Sequence, residues 1–223
     1  MKLDFSRPLL AIDTSTSVLS LALSHQNQLW QFHQEVSNKQ SELILPQIRA
    51  LLAESSLQIT DLAAIVYAQG PGAFTGLRIG AGVTQGLATP FHIPLIGVPT
   101  LDAVASQIQA PCVLAATDAR MGEVFYAWFN TECFQRLSDY QVGKAEEIQA
   151  ISETQVIGIG NAFALDNPPP FTGTSEMPSA VALLDLAKTE RYPALPAEQA
   201  ELLYVRNKIA LTAQEQAARK ANA

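Results

Sequence analysis

Two short segments carry residue types suited to a phosphorylated ligand. AIDTSTS, residues 11 to 17, sets an acidic residue at the end of a β-type run and follows it with a turn rich in hydroxyls. Such a turn can offer backbone N–H groups and hydroxyls to phosphates, while the Asp13 carboxylate orients a hydrated magnesium ion. The same residues serve equally well as an Asx or Ser/Thr turn between two strands. GPGAFTGLRIG, residues 70 to 80, is the second segment. Gly70 and Gly72 permit a close backbone turn, Pro71 stiffens it, and Thr75 stands where its hydroxyl could cap the following helix. A helix amino terminus beside glycines favours an anion. The segment has no lysine and does not read GxxxxGK[ST], which excludes a P-loop; Arg78 is its nearby cation. Asp13, Thr14, Ser15, Gly70 and Gly72 are the candidate nucleotide-binding residues.

The catalytic inventory is otherwise poor. His25, His33 and His92 have no paired spacing, and Cys112 and Cys133 form no CxxC or Cys/His cluster, so neither a metal site nor a disulfide is written in the sequence. Both cysteines fall in β-type runs and read as buried, reduced thiols. Ser15 or Ser17 as a nucleophile would need a base that the sequence does not identify. DARMGEV, residues 118 to 124, places Asp118, Arg120 and Glu123 around a strand-to-strand turn, where an Asp–Arg pair fits turn stabilisation better than acid–base work.

These segments must be positioned by a mixed sheet. Residues 9–13, 18–24 and 29–35 read as three strands in antiparallel hairpins, with LSLALS showing the alternation of a half-buried strand. Helical spacing follows over 39–54, then an apolar strand at 62–69, a helix over about 75–88 and a strand at 94–98. After Pro99, Thr100 can cap a helix to about 109. β-type runs at 112–120, 123–129 and 133–137, a helix near 144–150, a strand at 155–158 and a helix at 179–189 then repeat the first order approximately. Two copies of a βββαβαβα unit imply an α/β protein of two lobes around a cleft, the topology of actin, hexokinase and the sugar kinases. NPPPFTGTSEMP, residues 167–178, is a surface loop, and the tail from Thr212 reads as frayed or weakly helical.

Composition narrows the function classes. The 223 residues are 48% hydrophobic and carry 14 basic against 21 acidic residues, a formal charge of −7 that repels a polyphosphate backbone. Asp4 and Arg7 interrupt what would have to be the apolar core of a signal peptide, and no apolar run reaches membrane-spanning length, so the expected location is the cytoplasm, without a membrane partner.

The helix after the glycine turn is built thin. Gly76, Gly80, Gly82 and Gly86 each cost about 0.8–1 kcal/mol relative to alanine in a helix interior, a penalty that packing must offset. Their spacing strips bulk from more than one side of the cylinder. That suits a helix pressed on its own sheet and approached by a second helix. The helix over 39–54 has a wide apolar arc of Ile44, Leu45, Ile48, Leu51 and Leu52. Together the two could form a face seeking two more helices in a homodimer or heterodimer, or both could simply cover the sheet.

LLAIDTST, SELILPQI, AQGPGAFTGLRIGAGVTQGLA, IPLIGVPTLDAVA, ATDARMGEVFYA and LYVRN resemble, in order, the bacterial TsaB family, also called YeaZ. The resemblance spans most of the chain and is weakest from about 130 to 195. It implies an actin-like ASKHA (ribonuclease H-like) fold, each lobe a mixed five-stranded sheet flanked by helices. The lobes would be residues 1–104 and 105–223, with the tail packing back on the first. It implies a role in making threonylcarbamoyladenosine at position 37 of tRNA, as a non-catalytic subunit that binds the related catalytic subunit TsaD together with the ATPase TsaE. This chain would require no cofactor of its own, ATP and magnesium acting in the complex, and would meet tRNA only through that complex. In the catalytic relative a metal-binding HxxxH occupies the positions matching Thr100 and Val104, and valine cannot ligate a metal. Many family members have a histidine in the segment matching 38–42, where this chain has Gln40. On this reading Leu45, Ile48, Leu52, Leu77, Gly80, Val83 and Leu87 lie near the centre of the partner interface, and the same face supports a homodimer when the catalytic subunit is absent. Two alternatives from other classes are a nucleotide-binding protein with residual ATPase activity and a glycoprotease-like peptidase, the latter disfavoured by the missing metal ligands.

Overall fold

The computed structural model describes residues 3–205; the tail from Thr212 lies outside them. The first sheet begins with β1 (Leu9–Asp13), β2 (Val18–His25) and β3 (Gln28–Glu35), paired antiparallel as hairpins. After α1 (Gln40–Glu54), β4 (Ala64–Gly70) joins β1 in parallel; after α2 (Phe74–Ala88), β5 (Leu95–Pro99) joins β4 in parallel. A short helix α3 (Thr100–Ala105) leads to the second sheet of β6 (Val113–Arg120), β7 (Glu123–Asn130), β8 (Gln135–Arg136), β9 (Gln141–Lys144), β10 (Ile157–Ile159) and β11 (Gly173–Thr174). Then α4 (Ala180–Ala187) and β12 (Ala194–Leu195) return to the first sheet.

The strand orders are β12-β5-β4-β1-β2-β3 and β11-β10-β6-β7-β8, with β9 also on β7. Without β12, and with β8 and β9 taken as one interrupted strand, the two orders coincide. That is the duplicated two-lobed, ASKHA-like arrangement. Each sheet nevertheless has six strands rather than five. The sixth arises differently in each: a returning segment extends the first sheet at β5, and the third strand of the second sheet breaks in two at residues 137–140.

Alternation along β1 divides the first core. Leu9 and Ala11 pack beneath α4 with Val66, Val98 and Ala180, whereas Leu10 and Ile12 pack beneath α1 and α2 with Ile44, Ile48 and Leu95. The middle helix α3 bridges the lobes: Ala103 joins the α4 cluster, while Leu101, Val104 and Ala105 join Val113, Ala115 and Phe129 of the second sheet.

Several sequence expectations are corrected. The helix from Thr100 stops at Ala105, not 109, because the Ser106 hydroxyl turns back to the Ala103 carbonyl and closes the last turn. Thr100 does not cap it; the N-cap is Pro99, and the Thr100 hydroxyl is buried. Thr75 lies inside α2, whose N-cap is Ala73. Residues 144–150 form only a 3-10 turn at Ala145–Glu147. Cys112 is buried, but Cys133 is exposed and outside any strand.

Candidate functional site

The hairpin turn after β1 is the hub of the first lobe. Asp13 accepts the Ser15 amide on Oδ1 at 2.8 Å and is fully buried. Thr14 donates from Oγ1 to the Gly76 carbonyl at 2.8 Å. The Ala73 amide donates to the Ser15 carbonyl at 2.7 Å, and the Gln40 amide nitrogen donates to the carbonyl of Thr16. Both α1 and α2 are therefore anchored to one turn. Gln40, only 6% exposed, stands at the first position of α1 and supplies this cross-link, a role that no periodicity signals.

Glycine geometry explains half of the thin helix. A Cβ on Gly76 would collide with the Thr14 carbonyl oxygen, and one on Gly80 with the Thr14 hydroxyl. Gly76 and Gly80 are thin so that the hairpin turn can lie against α2. Gly82 and Gly86 are exposed, and a Cβ at either would meet nothing within 4 Å. The same helix thus has a filled glycine face and an open one.

This division sorts the residues expected at a partner face. Ile48 and Leu77 are each 2% exposed, packed in the chain's own core, and Gly80 is buried against Thr14. These three expectations are corrected: their apolar character serves the sheet beneath. Leu45 is 51% exposed, and Leu52, Val83 and Leu87 are partly exposed at the edge of the core. Phe74, 54% exposed, stands at the start of α2 with the Arg78 guanidinium 3.7 Å from its ring centroid. Sequence reasoning missed Phe74, because its place in the glycine segment drew attention to backbone rather than side chain.

The candidate nucleotide residues are largely taken up within the chain. A Cβ at Gly72 would come within 2.5 Å of the Ser15 carbonyl oxygen, and one at Gly70 within 2.6 Å of the Leu203 carbonyl oxygen. Gly70 also has φ +107, in the region that favours glycine. These glycines admit the close approach of the protein's own backbone. Asp13 and Thr14 do not line the cleft between the lobes; Ser15 and Gly72 do. The cleft, about 830 Å³, is walled by the turn of 15–17, the start of α2, Asp118 and Arg120 from the end of β6, Asn161, and residues 203–205.

Electrostatics at the cleft follow from burial. Desolvation raises the Asp13 carboxyl above its ordinary range, opposed by the bonds from Ser15, and its Oδ2 has no partner among the described residues. Ser15 also lines the cleft, but its hydroxyl oxygen is buried. Asp118 Oδ1 accepts the Arg120 amide at 2.7 Å, and its Oδ2 lies 3.7 Å from the Arg120 guanidinium, so this pair does stabilise the β6–β7 turn. Segment 197–205 crosses the end of the first sheet, where Leu203 donates to the Gln69 carbonyl at 2.8 Å and Tyr67 to that of Glu201 at 2.9 Å. Its Tyr204 ring stands 5.9 Å from that of Phe74.

Thr100 and Val104 are both fully buried. His33 Nδ1 is 2.9 Å from the Ser20 hydroxyl, and His92 is a left-handed residue closing the turn after α2. Among the described residues no group of three or more His, Cys, Asp or Glu side chains could hold a metal ion, and no helix is long and apolar enough to cross a membrane.

The family model described as "TsaD: tRNA N6-adenosine threonylcarbamoyltransferase" matches residues 32–221. The tRNA threonylcarbamoyladenosine biosynthesis protein TsaB of Haemophilus influenzae is 32% identical over 222 residues, covering 90% of this chain and 94% of that protein. The chain belongs to the TsaB/YeaZ family. TsaB of Escherichia coli is 36% identical over 153 residues, 67% of this chain and 64% of that protein. The structure of YeaZ from Pseudomonas aeruginosa superposes with a TM-score of 0.82 at 31% identity, covering 89% of this chain and 100% of that one. The two six-stranded lobes described above are therefore the TsaB/YeaZ architecture.

Proposed function

We propose that the chain acts in the formation of threonylcarbamoyladenosine in tRNA as a non-catalytic subunit, binding and stabilising a TsaD-type catalytic subunit alongside a TsaE-type ATPase. Its relatives bear the name of that biosynthesis, and one of them aligns over nearly the whole length of both chains. The observation that supports a binding role is the outer face of α1 and α2. Gly82 and Gly86, one turn apart, leave open space on α2, which also carries the partly exposed Val83 and Leu87 and the exposed Phe74, while α1 carries the exposed Leu45 and partly exposed Leu52. A helix laid on such a bulk-free strip can approach closely and exclude water from the neighbouring apolar side chains. The same face pairs two copies of the chain when the catalytic subunit is absent. ATP and magnesium act in the complex, in the cytoplasm, and the charge of −7 leaves tRNA to the basic surfaces of the partners.

The test is reconstitution of tRNA modification with Gly82→Leu and Gly86→Leu. Both positions are open to solvent, so each variant should keep the wild-type circular dichroism and melt at or above the wild-type temperature, yet fail to co-purify with the catalytic subunit and lose modified tRNA by tenfold or more. Undiminished modification by a folded variant would refute the assignment of this face. Ile48→Asp and Gly80→Leu are unsuitable probes, because both strike the core.

A second reading is nucleotide binding in the cleft, favoured by its size and by Arg78 and Arg120 on its walls. Calorimetric titration of the isolated protein with ATP and magnesium decides it, a flat isotherm removing the reading.

A further inference from the structure

A second cavity lies where α3, the end of β7, β8 and α4 meet. It encloses about 230 Å³. Its apolar walls are Ala105, Phe129, Phe134 and Leu186. Its charged walls are Asp102, Arg136 and Arg191.

Each carboxylate oxygen of Asp102, on α3, already accepts a hydroxyl: Tyr140 donates to Oδ1 at 2.6 Å and Tyr192 to Oδ2 at 2.8 Å. Burial raises its carboxyl above the ordinary range, opposed by those two bonds and by the nearby Arg136 guanidinium. Each arginine is seated on a ring. Arg136 lies 4.2 Å from the Tyr140 ring centroid, and Arg191 lies 4.8 Å from that of Phe134 while donating to the Phe134 carbonyl at 2.6 Å. Stacking holds a planar guanidinium in place before any ligand arrives, which lowers the entropy lost on binding. Both arginines line this one cavity beside Tyr192, so the two positive charges belong to one cluster.

Charge and shape together select the ligand. Two guanidiniums against one carboxylate leave a single positive charge beside an apolar wall. The adjoining Asp185 and Lys188 lie 4.0 Å apart and offset each other. We infer that this pocket binds a small organic carboxylate, a singly charged anion whose compact apolar body fills the space between Phe129, Phe134 and Leu186. Inorganic phosphate has the charge but no apolar body. A neutral amide has the body but no charge. The pocket is separate from the face on α1 and α2 and does not depend on it. Because α3 packs on both sheets, a ligand there also braces one lobe against the other.

Benzoate, benzamide and inorganic phosphate are the probes, titrated at constant ionic strength into the full chain while the backbone amide resonances of Ser106 and Asn130 are followed. Benzoate should give saturable shifts at low-millimolar concentration, and benzamide and phosphate should not. Arg191→Gln and Arg136→Gln, each shown to melt as the wild type, should weaken benzoate about tenfold, with Arg191→Lys recovering part of the loss. An equal response to benzamide or phosphate, no saturable response to benzoate, or unchanged affinity in both folded Gln variants would overturn the inference.

Discussion

The two faces of α2 are built from the same residue for opposite reasons. On the inner face Gly76 and Gly80 remove side chains so that the Asp13–Ser15 turn can press its backbone and the Thr14 hydroxyl against the helix. On the outer face Gly82 and Gly86 remove side chains where the chain itself places nothing. Glycine lowers helix stability by about 0.8–1 kcal/mol wherever it stands in the interior. Inside, the offset is visible in the monomer: two hydrogen bonds, from Thr14 to Gly76 and from Ala73 to Ser15, and a closed contact between α2 and the hairpin. Outside, no offset exists within the described residues; on the proposed function, the partner would supply it. A sequence motif of repeated small residues is therefore two signals superposed.

Mutations separate the signals. The largest effect is expected at Gly76→Val, because the added carbons meet the rigid Thr14 carbonyl rather than the yielding end of a side chain. The loss should be about 3 kcal/mol or more, read as a fall in urea midpoint or a failure to fold. A Gly76→Val protein with wild-type stability would remove the packing reason for the inner glycines. At Gly82→Ala the sign should reverse. With nothing near the new methyl group, the isolated chain should gain about 0.8–1 kcal/mol from helix propensity alone. A loss of stability there would mean that the outer face is not open. The Gly82→Leu result in partner binding completes the contrast: the stability of the isolated chain is retained while assembly is lost.

The smallest expected effect concerns the turn that the inner face receives. Burial raises the Asp13 carboxyl, and one of its oxygens has no partner among the described residues. A carboxyl raised in the folded state contributes its full stability below the unfolded value, near 3.9, and loses it as pH rises through the folded value. Asp13→Asn cannot ionise, so its melting temperature relative to wild type should climb between about pH 4 and pH 7. Asp102, also raised, is common to both proteins and drops out of the difference. A difference independent of pH would contradict a buried, uncompensated charge beside α2.

Much of the framework was legible because periodicity reports burial. β-type runs bounded by turn residues located β1 to β3, although β2, read from LSLALS as half-buried, is buried on both faces from Val18 to Leu23; the apolar run located β4, and the helical spacing of Ile44, Leu45, Ile48, Leu51 and Leu52 located α1. The second lobe was less legible: β8 and β11 have two residues each, too few for a period to show. The short turn at Ala145–Glu147 likewise carries no helical repeat beyond its own three residues. The candidate site divides along the same line. The two helices were identified, but Ile48, Leu77 and Gly80 were placed on their outer side, since an apolar residue on an amphipathic helix does not state which of two neighbours it faces.

By itself the sequence determined the element types of the first lobe and the duplicated strand order, because these depend on local spacing. Only the tertiary structure decided which glycines are occupied. Thr14 and Gly76 are 62 residues apart in the chain, and the collision that makes glycine obligatory arises when the β1–β2 turn is folded onto α2. The same is true of Asp102, Tyr140 and Tyr192, three polar residues unremarkable in sequence that the fold converges on one carboxylate. Contacts of that range are absent from any local pattern, and they are what separate a packed face from an open one.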